Sequence, residues 1–188
     1  MPYFTEAQAR SIIRETYESA KGEDRCVAQA LYTLQELSGL PEGAVMLAFG
    51  VGNPVRHAGL SPGDVVLDVG CGAGIDTLLA ASRVGPNGRA LGLDMTPRML
   101  ELAAHHAASA GFVNVDVHEG LMEALPFADA SVDVVVSNGV LNLSTRKSRA
   151  LAEMHRVLRP GGRVCLADLV LSENLPEEIV KNPTALVA

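Results

Sequence analysis

The chain has few cysteines and no excess of basic residues. Its 3 cysteines among 188 residues are odd in number and widely spaced, so they form neither a disulfide framework nor a zinc-binding pattern. The net charge of −7 argues against a nucleic-acid partner, because phosphate binding relies on a basic surface. The sequence therefore favours neither a disulfide-rich domain nor a nucleic-acid-binding protein.

Long apolar runs are missing as well. No run reaches the roughly 18 to 20 residues that a membrane-spanning helix needs. The first residues, Met1 to Glu6, have neither the basic start nor the apolar core of a secretion signal. The 48% hydrophobic content and the absence of long charge runs predict one globular domain with an ample core. We therefore expect a cytoplasmic protein that has no membrane partner.

An apolar strand that runs into a glycine loop is the most informative stretch. Val65 to Val69 is a short apolar run interrupted by Asp68, and a buried acid must be hydrogen-bonded or face a ligand because an unpaired buried carboxylate is costly. Alternating glycines follow and let the backbone approach a bound molecule. Ile75 to Val84 then predicts a helix whose free N–H groups face the loop. The three glycines are Gly70, Gly72 and Gly74.

Other glycine-rich loops fit this stretch less well. A dinucleotide fingerprint would place its third glycine at Ile75, where a bulky β-branched residue stands. A phosphate loop would need Lys-Ser or Lys-Thr, and Ile75 is instead followed by the acid Asp76. A turn with a purely structural role remains open.

A second acid follows about twenty residues later. Arg89 to Asp94 is a short apolar strand that ends in a carboxylate, which at this place can bind both ribose hydroxyls of a nucleoside. Thr96 and Pro97 are good first residues for the next helix. The alternative is that Asp94 is only a turn acid before that helix.

Strands and helices alternate from Ser61 onward, which predicts a parallel sheet with helices on both faces. Ligands of such sheets bind at the carboxyl ends of the strands, where the strand order reverses. We expect strands one and four to flank that point. The later strands are predicted at 114–118, 133–137 and 163–171.

Several motifs together resemble the class I S-adenosylmethionine-dependent methyltransferases, most of all the arsenite methyltransferases. The superfamily motifs are Asp68 to Gly74, Asp94 to Pro97, Ser137-Asn138 and Leu158 to Gly162. The arsenite methyltransferase motifs are Gly52-Asn53-Pro54, Asp94 to Pro97, Ser137 to Leu143 and Leu175 to Glu178. The likeness covers about Pro41 to Pro183. It implies an α/β fold, a Rossmann-like doubly wound parallel sheet with N-terminal helices.

The resemblance also implies a cofactor, S-adenosylmethionine, and residues that hold it. In the family an acid after Gly120 often meets the adenine amino group, and this chain has Leu121 there, so Glu123 is a possible substitute. A polar turn without a ligand is the alternative for this stretch. No catalytic residue and no metal ligand is identified, and His57 is more typical of a surface residue than of a base. The predicted cofactor-binding residues are Asp68, Gly70, Cys71, Gly72, Gly74, Asp94, Met95, Leu121, Met122 and Asn138.

The N-terminal segment, residues 1–42, predicts two helices separated by a break at Gly22 to Asp24. The first begins with a capping box at Thr5, and the second has an apolar stripe. The resemblance implies that this segment covers the cofactor and the substrate entrance, with the methyltransferase domain at 43–188. The stripe consists of Val27, Leu31 and Leu34.

The arsenite function conflicts with the cysteines. Soft trivalent arsenic is held by thiolates, and at the two positions where the resembling family has them this chain has Val51 and Gly139. Cys26 lies roughly where the family has another cysteine. We therefore expect methyl transfer to an unidentified small-molecule acceptor, with arsenite as one alternative acceptor.

The end of the chain is short for this superfamily, which continues past the fifth strand with a helix and two more strands. Residues 176–188 leave room for a short helix only. The resulting open sheet edge is a site for association, so we expect a possible homo-oligomer through it. The other alternative function is a non-catalytic S-adenosylmethionine-binding remnant, which would act as a regulatory or assembly subunit.

Overall fold

The computed structural model of the chain describes residues 4–22, 24–173 and 175–186. The strands are β1 (Val65–Val69), β2 (Arg89–Asp94), β3 (Val115–Glu119), β4 (Val132–Asn138) and β5 (Leu158–Ala167). The helices are α1 (Glu6–Ser19), α2 (Cys26–Leu31), α3 (Leu34–Leu37), α4 (Glu42–Met46), α5 (Pro54–His57), α6 (Ile75–Val84), α7 (Pro97–Ser109), α8 (Lys147–Val157), α9 (Glu177–Val180) and α10 (Pro183–Leu186).

The five strands form one parallel sheet in the order β3-β2-β1-β4-β5. The chain moves outward from β1 to β3 and then returns to the other side of β1, so the strand order reverses between β1 and β4. This confirms the predicted α/β fold and the predicted position of the switch point. Within the described residues no helix is long and apolar enough to cross a bilayer.

Both faces of the sheet are buried, which explains why its central strands are apolar at nearly every position. Along β1 the side chains alternate: Val66 belongs to the apolar cluster that includes α6, whereas Leu67 and Val69 belong to the cluster that includes α8. Asp68 shares the α6 face. The carboxyl ends of these strands, where the acids lie, therefore rest on a well-packed support.

The N-terminal segment differs from its prediction in two ways. The second helix is split, because Thr33 and Glu36 form a capping box that starts α3 after α2 has ended. The predicted apolar stripe is confirmed at Leu31, which packs against the core, and is wrong at Leu34, which is 81% exposed. Val27 is also exposed, and Tyr32 and Leu37 are the buried residues here. Glu23, in the predicted break between the helices, lies outside the described residues.

The last strand also differs from its prediction. β5 begins at Leu158, where it pairs with Val132, and it ends at Ala167, not Leu171. Leu169 to Leu171 are exposed, so their apolar character does not extend the ladder. In the part of the chain that the structure describes, no strand pairs with the outer edge of β5.

Candidate active site

A cleft lies at the carboxyl ends of β1, β2 and β4, and its empty space is about 1080 Å³ including the open mouth. The glycine loop after β1 forms one side, and the inner face of α1 forms the opposite side. Nine of the ten predicted cofactor-binding residues line this cleft. Those nine are Asp68, Gly70, Cys71, Gly72, Asp94, Met95, Leu121, Met122 and Asn138.

The glycine loop is held against β2 by backbone hydrogen bonds. The N–H groups of Gly70 and Cys71 both donate to the carbonyl oxygen of Leu93, at 2.7 and 2.9 Å. The Gly72 N–H donates to Oδ2 of Asp94 at 2.9 Å. The two sequence signals, the loop and the second acid, are thus joined directly.

Each glycine of the loop has a different reason to lack a side chain. Gly70 has φ +79°, and a Cβ there would lie 2.5 Å from Cγ2 of Val140. Gly72 has φ +51° with no atom within 4 Å of an added Cβ, so it faces open space. Gly74 does not line the cleft; its Cβ would meet Ala103 at 3.1 Å. Close approach to a ligand is therefore possible at Gly72, and Gly74 serves packing.

Asp94 keeps its carboxylate at the cleft while the backbone fixes both of its oxygens. Oδ1 accepts from the Thr96 N–H at 2.9 Å, and Oδ2 accepts from Gly72. Burial raises the pKa of Asp94, which these hydrogen bonds partly offset. Each oxygen has a second lone pair, so the carboxylate can also accept from a ligand hydroxyl.

Asp68 is buried and accepts a hydrogen bond from Oγ1 of Thr77 at 2.6 Å. Burial, together with the nearby charge of Asp76, raises the pKa of Asp68 from 3.8 to about 8. In this environment a positively charged ligand group would stabilise the ionised carboxylate.

A buried network that sequence reasoning missed lies beside Asp68. Asp76 accepts from the hydroxyl of Tyr32 at 2.9 Å and from Nδ2 of Asn138 at 2.8 Å. Burial raises the pKa of Asp76 to about 6, although these hydrogen bonds lower it. In the sequence, Asp76 is visible only as an acid in the first turn of α6, a feature that argues against a phosphate loop. No motif around Tyr32 predicts that its hydroxyl belongs to this network.

The side chain of Asn138 lines the cleft and also hydrogen-bonds to the backbone of a neighbouring turn. Its Oδ1 accepts from the N–H groups of Val51 and Gly52, at 2.8 and 3.0 Å, and its Nδ2 also donates to Gly52 O at 2.8 Å. The amide therefore ties the 50–52 turn to the end of β4. Its predicted contact with the methionine part of the cofactor stays a prediction.

The stretch after β3 forms another part of the cleft. The Gly120 N–H donates to Asp94 O at 3.0 Å, and Leu121 O accepts from the Ala124 N–H at 3.0 Å. Glu123 is buried, accepts from the Ser144 hydroxyl and lies 3.8 Å from Arg10. Both carboxylate oxygens of Glu123 therefore have a partner, while the residue also lines the cleft.

Helix α1 lines part of the cleft, although none of its residues is among the predicted cofactor-binding residues. Arg14 donates to Met95 O at 3.0 Å, and Arg98 donates to Ala20 O at 2.8 Å. Tyr17 lines the cleft, and the pKa of its hydroxyl is raised by burial and by the charge of Asp94. The helix is therefore docked onto the segment that follows Asp94.

The cysteines do not form a metal or metalloid site. Cys71 is the only cysteine among the described residues of the cleft, and burial raises the pKa of its thiol. Cys26 is exposed. The described residues also contain no group of three or more histidine, cysteine or acidic side chains that could hold a metal ion. His57 is exposed and does not line the cleft.

The residues of the cleft fit S-adenosylmethionine. Gly72 leaves open space beside the loop, and the Asp94 carboxylate can accept hydrogen bonds from ribose hydroxyls. A positive charge on the ligand would stabilise the ionised form of Asp68.

Comparison with known proteins agrees with this description. Residues 60–187 match the family described as a methyltransferase domain. An arsenite methyltransferase from Halobacterium salinarum is 43% identical over 155 residues, covering 82% of this chain and 39% of the relative. A demethylmenaquinone methyltransferase from Symbiobacterium thermophilum is 38% identical over 114 residues, covering 60% of this chain and 45% of the relative.

A solved structure is similar over most of the chain. It is that of an arsenic(III) S-adenosylmethionine methyltransferase from Chlamydomonas reinhardtii, with a TM-score of 0.73 and 39% identity, covering 80% of this chain and 52% of the other. The chain spans about two fifths of the length of the two curated relatives. The chain belongs to the methyltransferase domain family, in its class I branch, which uses S-adenosylmethionine. The family and cofactor predicted from the sequence are confirmed.

Proposed function

We propose that this chain transfers the methyl group of S-adenosylmethionine to a small-molecule acceptor. The observation that carries the proposal is the direct hydrogen bond between the Gly72 N–H and the Asp94 carboxylate at the floor of the cleft. This contact brings together the open backbone at Gly72 and Asp94, to which the proposal gives the ribose hydroxyls. The family of the chain supports the same reaction.

The protein has little chemistry of its own to supply. S-adenosylmethionine carries a methyl group already activated on a sulfonium. An acceptor lone pair becomes the new bond to the methyl carbon, the electron pair of the broken carbon–sulfur bond stays on sulfur, and a proton leaves the methylated acceptor. Holding the two reactants in line contributes about 7 to 11 kcal/mol at best. Binding and orientation are therefore the expected tasks of the cleft residues.

In this proposal the ten residues predicted from the sequence divide by position. Asp94 and Met95 bind the ribose side, and Leu121 and Met122 border the adenine together with Glu123. Asp68, Gly70, Cys71 and Gly72 face the methionine side with Asn138. Gly74 acts only through the shape of the loop, because its neighbour is Ala103.

The N-terminal segment, residues 1–42, acts as the cover of the cofactor. Its α1 presents Ala9, Ile13 and Tyr17 to the cleft and hydrogen-bonds to Met95 O through Arg14. Residues 43–188 form the cofactor-binding domain beneath it. Cofactor entry then requires α1 to move.

Arsenite is the second candidate acceptor, favoured by the 43% identical relative from Halobacterium salinarum. An added Cβ at Gly139 would lie 3.6 Å from Cγ1 of Val51, so the two positions that carry cysteine in the resembling family are neighbours here without a thiol. The demethylmenaquinone methyltransferase points to an organic acceptor instead. Because neither Val51 nor Gly139 carries a thiol that could hold arsenic, these residues favour the organic acceptor.

The open edge of β5 supports association of two copies. Val164 and Leu166 are large apolar side chains exposed on this edge strand, and unpaired strand edges pair readily with another chain. Sedimentation velocity of the wild type and of Leu166→Lys tests it. A monomeric wild type at micromolar concentration would refute the association.

Calorimetric titration tests the cofactor site. The wild type should bind S-adenosylmethionine and S-adenosylhomocysteine at about one per chain, and Asp94→Asn should weaken both at least tenfold. Asp116→Asn is the matched control, because this exposed acid pairs with Arg89 away from the cleft. A folded protein that binds neither ligand would overturn the proposal.

Turnover distinguishes the enzyme from a non-catalytic subunit. Formation of S-adenosylhomocysteine in the presence of arsenite with a thiol reductant, or of small organic nucleophiles, supports methyl transfer and identifies the acceptor class. Cofactor binding without turnover across both sets would favour the regulatory or assembly subunit.

A further inference from the structure

We propose that the acceptor has an apolar body and carries no negative charge, because the cleft rejects anionic acceptors. The inference rests on the proposed methyl transfer and adds to it a class of substrate.

Apolar side chains from three segments line the cleft beside the residues assigned to the cofactor. The rings of Tyr17 and Phe49 meet edge to face, with centroids 5.7 Å apart. The position of a Cβ on Gly139 is 3.6 Å from Phe49 O. Val140 and Leu143 continue the lining beyond Gly139. α1, the 47–51 segment and the chain after β4 thus form one surface.

This surface is exposed where it reaches the mouth of the cleft. Phe49 lines the cleft and is 43% exposed, although its ring contacts Tyr17. Val51 is 36% exposed and lies beside the lining residue Gly139, in a turn held by hydrogen bonds to Asn138. Apolar side chains that remain exposed beside a ligand cleft are typical of a surface that a ligand covers. The acceptor is the occupant that the proposed reaction requires there.

The charges of the cleft decide which acceptors are tolerated. Arg10 is the only basic side chain among its described residues, and its charge is shared with Glu6, to which it hydrogen-bonds, and Glu123 at 3.8 Å. An anionic acceptor would meet several carboxylates and no basic group without an acidic partner. The acidic residues that line the cleft are Glu6, Asp68, Asp76, Asp94 and Glu123.

A set of ligands with one ring and different charges tests the inference. The protein is first saturated with S-adenosylhomocysteine, and binding of 4-ethylphenol, 2-phenylethylamine and 3-phenylpropionate is then measured by calorimetry or ligand-observed NMR at pH 7. We expect the uncharged phenol to bind and the carboxylate to bind at least tenfold more weakly. Binding of the carboxylate as tight as or tighter than that of the phenol or the amine, or no binding of the phenol, would overturn the inference.

A charge substitution at the mouth sharpens the test. Val51→Lys introduces a cation beside the apolar lining, so binding of 3-phenylpropionate should strengthen at least tenfold while binding of 4-ethylphenol weakens. Val113→Lys is the matched control, since Val113 is exposed in the turn between α7 and β3. The same change in both variants would refute a role for the surface around Val51.

The two proposals fail in different ways. If S-adenosylhomocysteine does not bind, the methyltransferase function is overturned and the acceptor class with it. If S-adenosylhomocysteine binds and the phenol does not, only the acceptor class is overturned.

Discussion

The two sides of the cleft are built by different means. The glycine loop is fixed by short-range backbone geometry and by N–H groups that donate to Leu93 and Asp94. The α1 side is attached by long side chains, through Arg14 and Arg98, to backbone carbonyl groups distant in sequence. The loop is therefore expected to be rigid, whereas α1 can detach without disturbing the sheet. A cover that must admit a cofactor benefits from this difference.

Substitution of the loop glycines should have the largest effect. Gly70→Ala forces a Cβ against Val140 in a left-handed backbone, which should cost about 2 to 4 kcal/mol of unfolding free energy. Gly72→Ala has free space and should cost about 1 kcal/mol, yet weaken cofactor binding at least tenfold. Urea unfolding and calorimetry measure the pair. Equal destabilisation of both variants would contradict the different roles of the two glycines.

The buried acids should make stability depend on pH. The pKa of Asp68 is raised to about 8 and that of Asp76 to about 6, so between about pH 4 and pH 8 the folded chain holds protons that the unfolded chain releases. Stability from these groups is therefore present below about pH 4 and falls as pH rises to 8, by a few kcal/mol. Urea unfolding at several pH values measures this slope.

Asp68→Asn isolates the contribution of one carboxyl. The amide keeps an acceptor for the Thr77 hydroxyl but does not titrate, so the fall in stability between pH 5 and pH 8 should shrink. Asp116→Asn, an exposed acid, is the control and should keep the wild-type slope. An unchanged slope in Asp68→Asn would show that Asp68 titrates normally.

Loosening α1 should have a smaller effect. Arg98→Ala removes hydrogen bonds to Glu18 O and Ala20 O, which should cost about 1 to 2 kcal/mol and weaken cofactor binding severalfold. Limited proteolysis should then cut α1 sooner than in the wild type. Arg89→Ala serves as the control, because its partner Asp116 lies on β3. Unaltered proteolysis and affinity in Arg98→Ala would mean that other contacts hold the helix.

The smallest expected effect is that of Leu34→Gln in α3, for which the buried Leu37 of the same helix is the comparison. Leu34→Gln should change the unfolding free energy by less than about 0.5 kcal/mol, because the side chain is 81% exposed. Leu37→Ala should cost about 2 to 4 kcal/mol, since Leu37 is buried. Chemical denaturation of both variants checks the packing. A larger loss in Leu34→Gln would support the stripe inferred from the sequence.

Local patterns in the sequence were sufficient for the centre of the fold. β1, α6 and β2 have the predicted bounds, because apolar runs, glycines and the Pro97 helix start act within a few residues. Both Gly72 and Asp94 are predicted from the sequence as cofactor-binding residues, whereas their hydrogen bond is seen only in the structure. The family, the fold and the cofactor followed from these motifs.

Only the tertiary structure decided which residues meet across the cleft. Tyr32, Asp76 and Asn138 come from three separate segments, and their hydrogen bonds form only once α2, α6 and β4 have packed together. The burial of Leu37 in place of Leu34, and the end of β5 at Ala167, likewise depend on partners remote in sequence. Periodicity reports the preference of a segment for an apolar face, whereas the packed neighbours determine whether that face is covered.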